Sequence, residues 1–98
     1  MQPDSVRTIA DGIAVRVPIP EAVSDMQGSV DDVLLVDDAH LIQAMKLLYR
    51  HAGLLVEPSG AAGVAALLAH PPQFNGKKVA TILCGSNLTE AQIREWIY

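Results

Sequence analysis

Residues 30–53, "VDDVLLVDDAHLIQAMKLLYRHAG", constrain the fold more than any other part of the chain. The segment 31–38 sets an apolar run between two acidic pairs and reads as a buried strand. Directly after it, Leu41, Ile42, Met45, Leu48 and Ala52 recur at spacings of three and four, the period of a helix with one apolar face. Asp37 or Asp38 suits the N-cap, because a short carboxylate accepts from the free amides of a first helical turn. Gly53 ends the pattern where a left-handed residue commonly closes a helix. A buried strand feeding an amphipathic helix needs a second layer to cover it, which places the chain among α/β folds.

The same alternation continues on both sides. "GIAVRV" (12–17) reads as a short strand stopped by Pro18 and Pro20, and "PEAVSDMQGS" as a weak helix ended near Gly28. "LLVE" (54–57) is extended, and Pro58 opens a helix from about Ser59 to His70. Gly60, Ala61, Ala62, Gly63, Ala65 and Ala66 make that helix thin. Small residues let a neighbouring backbone come close, at some cost in intrinsic helix stability. "HPPQFNGKK" is a turn or loop, and "VATILC" (79–84) is a second buried strand. Thr89 with Gln92 three residues later marks a capping box at the start of a last helix. With no repeat and no internal linker, residues 1–98 read as a single α/β domain, or part of one, with a small partly parallel sheet and packed helices.

Charge and composition exclude several functions. A net charge of −4 and seven scattered basic residues give no basic face for nucleic acid. No apolar run approaches the length of a membrane span and no secretory leader pattern opens the chain. One cysteine permits no internal disulfide, as expected of a cytoplasmic protein. Half the residues are hydrophobic while 18% are charged, which points to apolar surface that a partner covers.

The candidate site residues each allow a bland account and a functional one. Cys84 reads first as a small buried hydrophobe at a strand end, since no histidine is placed to make it a thiolate. Gly85-Ser86-Asn87 has too few glycines for a phosphate loop. His40, His51, His70 and the acidic pairs show no metal-ligand spacing, and the pairs read as solvated strand ends and a cap. Glu57 lies at a strand-to-helix junction, where a carboxylate either favours the positive end of the helix or points into a cleft.

Taken together, "TIADGIAV" (8–15), "VDDVLLVDD" (30–38), "LLVEPSGAAGVAALLAH" (54–70) and "VATILCGSNLT" (79–89) resemble, in this order, the C-terminal portion of threonine dehydratases and serine racemases. These are pyridoxal-phosphate enzymes of the tryptophan synthase β family, fold type II. The resemblance implies a partial version of that family's large domain. It places Cys84 against the pyridine nitrogen of the cofactor. A thiol leaves that ring largely unprotonated, a mild electron sink suited to β-elimination. The resemblance also puts Glu57 near the ring, Asp11 and Gly12 in a turn bordering the site, and Gly85 and Asn87 in the loop after the strand. Ser86 stands where family members often carry a second glycine.

The family's Schiff-base lysine, ring-covering asparagine, phosphate loop and cation ligands have no counterpart in this sequence. Lys46, Lys77 and Lys78 do not match the lysine motif. The resemblance therefore implies a detached part of a threonine or serine dehydratase that neither catalyses nor binds pyridoxal phosphate alone. It would work as a homo-oligomer or beside a complementing chain. Two rival readings are a non-catalytic interaction module and a small-molecule binder with a pocket near Glu57 and Cys84.

Overall fold

The computed structural model describes residues 7–98. Five helices follow one another: α1 (Pro20–Met26), α2 (Asp38–Ala52), α3 (Ala62–Ala69), α4 (Pro71–Phe74) and α5 (Glu90–Trp96). Single 3-10 turns occupy Asp11–Ile13 and Pro58–Ala61.

Helix α2 forms as its sequence demands. The Asp37 carboxylate accepts from the His40 amide at 2.9 Å, and Gly53 closes the helix with φ 67°. Its apolar stripe is buried at Leu41, Ala44, Met45 and Leu48, while Ile42 is half-buried and Ala52 exposed. Leu41 and Met45 are the largest side chains fully shut off from water, each worth roughly 1.5–3 kcal/mol of transfer free energy. The stripe packs on α3 and on the Pro58–Ala61 turn, and α5 also closes against α2. The core thus joins Ala10, Val56, Ala61, Ala65 and Ile97 to the face of α2.

The thin helix expected from Ser59 to His70 divides into the 3-10 turn and α3, and α4 gives the "PPQF" loop a helical turn. Its glycines face the segment 79–84. A methyl at Gly60 would overlap the Cys84 carbonyl oxygen and lie 2.7 Å from its carbon. One at Gly63 would overlap the Thr81 hydroxyl and lie 2.9 Å from Thr81 Cβ. The small residues therefore seat one chain segment directly on another.

The expected sheet is not shown. Among the described residues no strand forms, and 12–17, 31–38, 54–57 and 79–84 are not paired into a ladder. One backbone bond, Glu57 N–H to Gly85 O at 2.9 Å, links the second pair of segments. β-branched, apolar stretches favour extended backbone, but a strand also needs a neighbour in register for its amides and carbonyls. A side chain reaches the segment 31–37 instead: His70 Nε2 meets Leu35 O at 2.7 Å. Asp38, the other N-cap candidate, instead ties the N-terminal segment down by accepting from the Thr8 hydroxyl at 2.6 Å and the Ile9 amide at 3.2 Å.

The result is a slab with extents of 39 × 36 × 19 Å, a helical layer backed by extended chain. Its radius of gyration of 14.5 Å exceeds the roughly 12.6 Å typical of a compact domain of this length. Among the described residues no helix is long and apolar enough to cross a membrane.

Candidate functional site

The segments "ADG", "EPSGA" and "GSN" meet at one place. Pro58 cannot continue a strand and its fixed φ opens the 3-10 turn, so the chain bends sharply after Glu57. The Glu57 carbonyl then accepts from Gly60 at 3.0 Å and Ala61 at 3.1 Å. Gly85, with φ 77°, carries the chain round where a side chain would strain the backbone. A methyl there would also sit 2.6 Å from Glu57 Cδ and 2.9 Å from its Cγ, so the glutamate lies flat on the glycine. On the other flank, Gly12 approaches Ser59 and the Glu57 carboxylate. A methyl at Gly12 would lie 2.9 Å from Ser59 Oγ and 3.9 Å from Glu57 Oε1.

A hollow of about 240 Å³ opens beside this bend. Asp11, Glu57 and Asn87 contribute its polar wall, and Ile9, Leu88 and Trp96 its apolar one. Thr89 and Gln92 border it as the capping box of α5. The Thr89 hydroxyl accepts from the Gln92 amide at 3.1 Å, and the Gln92 side chain accepts from the Thr89 amide at 2.9 Å. The three sequence-derived segments thus converge on one space. Gln92 and Trp96 were missed as lining residues, although their spacing of four already sets them on one face of a helix.

Cys84 is placed differently from its first reading. It is exposed rather than buried. Its carbonyl, not its thiol, presses on Gly60, which leaves the side chain on the outer side of the segment. Ser86 adopts an ordinary backbone angle, since among the described residues every positive φ falls on a glycine. A second glycine is therefore not required at that point of the turn. None of the lysines lines the hollow. Lys46 is half-buried on α2, while Lys77 and Lys78 border a separate groove with Asp31 and Asp32.

A profile of the pyridoxal-phosphate dependent enzymes matches residues 1–85. The chain belongs to this family. The β-hydroxyaspartate dehydratase of Paracoccus denitrificans (strain Pd 1222) is 34% identical over 86 residues, covering 87% of this chain and 27% of that protein. The biosynthetic L-threonine dehydratase of Haemophilus influenzae (strain ATCC 51907) is 39% identical over 87 residues, covering 87% of this chain and 17% of the relative. The crystal structure of the T.th. threonine deaminase superposes with a TM-score of 0.82 at 29% identity, over 91% of this chain and 32% of that one. The chain thus spans roughly a quarter of the length of these relatives.

Against this family's cofactor, the site fits in one part and not in another. An exposed thiol beside a glycine turn is compatible with contact at a ring edge. The hollow is not suited to a phosphate, because it gathers the carboxylates of Asp11 and Glu57 and no cation. Like charges at that range repel the anion that a phosphate site must attract. No step of the family's chemistry is therefore assigned to this chain on its own.

Proposed function

We propose that the chain supplies the C-terminal segments of a pyridoxal-phosphate lyase centre for hydroxy amino acids, which eliminates the β-hydroxyl to give a 2-oxo acid and ammonia. The observation that carries this reading is the convergence of Asp11, Glu57 and Asn87 on one hollow, with Gly85 packed against Glu57; Cys84, next to Gly85 in the chain, is exposed but does not line the hollow. In this role Cys84 faces the pyridine nitrogen, Glu57 borders the ring, and Gly85 and Asn87 shape the loop beneath it. When bound, the cofactor would supply the electron sink for elimination. The relatives' names, threonine dehydratase and hydroxyaspartate dehydratase, indicate the substrate class.

On its own the chain is not catalytic in this proposal, because no lysine lines the hollow and its charge opposes a phosphate. The test is to add pyridoxal phosphate to the purified chain and record its absorbance above 400 nm together with 2-oxo acid release from threonine, serine and 3-hydroxyaspartate. No band and no product are expected. An imine band with turnover refutes the inactivity.

A second reading, a non-catalytic subunit that completes a partner, is favoured by the apolar side chains left in water. Leu35 is 85% and Ile82 84% exposed, although both stand in segments with the pattern of buried strands.

A further inference from the structure

The face built by 13–15, 30–35 and 79–82 has too much apolar surface for a free monomer. The segment 31–35 is shared by three adjoining hollows. One holds Ile13, Val15 and Leu35, the next Met26, Val30 and Val33, and the third Lys77, Lys78 and Val79. Val15 is 64% and Val33 67% exposed along this strip. Among the described residues no strand ladder engages these extended segments, so their backbone can pair with another chain.

Area sets the size of the missing contact. The chain exposes 7330 Å², against about 5,400 Å² for a folded monomer of 10.5 kDa. Subtracting about 1,000 Å², the area that the unfolded-chain scaling gives six residues, to leave out residues 1–6, still leaves an excess of roughly 1,000 Å². One partner's share of a standard stable interface is about 800 Å².

The charges select the occupant. Asp31, Asp32, Lys77 and Lys78 border the same groove, and among the described residues no ion pair engages any of them. A patch carrying both signs beside one apolar strip is self-complementary. A twofold rotation that set the acids of one copy against the lysines of the other would pair both signs while strip met strip. We propose that this face is the interface with a second copy of this chain, formed when the chain is alone in solution.

Light scattering on the purified chain at about 10–100 micromolar tests this. A mass twice the 10.5 kDa of the chain is expected. Leu35→Asp should raise the dimer Kd at least tenfold, with helical circular dichroism unchanged because Leu35 is already exposed. Should Leu35→Asp fail to fold, the charges decide. Lys77→Glu with Lys78→Glu should weaken the dimer several-fold, and adding Asp31→Lys with Asp32→Lys should restore it. A monomer throughout this range overturns the proposal, as does a dimer indifferent to all of these substitutions. So does a chain that stays monomeric alone and associates only with a lysine-bearing partner.

Discussion

Replacing Gly60 with alanine probes the contact that seats the thin helix on the segment leading to Cys84. In an open helix the change would favour folding by about 1 kcal/mol, because alanine is the better helix former. Here the added methyl would overlap the Cys84 carbonyl oxygen and lie 2.9 Å from Val56 Cγ1. The carbonyl is backbone and cannot rotate aside, so either the turn or the segment must shift. Overpacking of this kind costs typically about 1–3 kcal/mol and more when backbone must move. The net expectation is a loss of about 2 kcal/mol, a large share of the roughly 5–15 kcal/mol that holds a domain together. For a chain of this size that corresponds to a fall in Tm of roughly 10 °C. Urea unfolding at one fixed protein concentration, needed because association adds to stability, gives the difference directly. A Gly60→Ala variant as stable as the parent, or more so, would refute the close approach.

Thr89→Ala should cost about 1 kcal/mol by urea unfolding, because it removes one half of the capping box that starts α5. Gly85→Ala should cost at least the roughly 1–2 kcal/mol of a left-handed alanine and should displace Glu57, which chemical-shift changes at Glu57 and Asp11 would report. The His40 amide, and then its imidazole, donate to Asp37 and hold that carboxyl below its ordinary 3.8. A depressed carboxyl stabilises above its unfolded pKa and loses that contribution as pH falls through the folded value. Stability followed from about pH 5 to pH 2 should therefore fall less steeply in Asp37→Asn than in the parent.

Helices α2 and α5 were legible because their signals are local. Asp37 and Gly53 mark both ends of α2, Thr89 and Gln92 the start of α5, and the small residues at 60 and 63 announce a close neighbour. Strand pairing was not, because apolar, β-branched runs show that a segment tends to extend and not which segment it pairs with. Among the described residues no ladder forms between the four such stretches, and a single backbone bond ties Glu57 to Gly85. Asp38 read only as a cap or a solvated charge because its partners, Thr8 and Ile9, lie about thirty positions away in sequence. The hollow was legible only through the family resemblance. Nothing in the spacing of Asp11, Glu57 and Asn87 says that they meet, whereas folding brings them together across the Pro58 bend.

The most direct measurement mixes the chain with a lysine-bearing N-terminal portion of a threonine dehydratase, adds pyridoxal phosphate, and follows 2-oxobutyrate from threonine. Product is expected from the mixture and from neither part alone, with a loss of at least tenfold when the chain carries Glu57→Ala. Turnover by the chain alone would contradict this. So would a mixture that forms a stable complex yet makes no product.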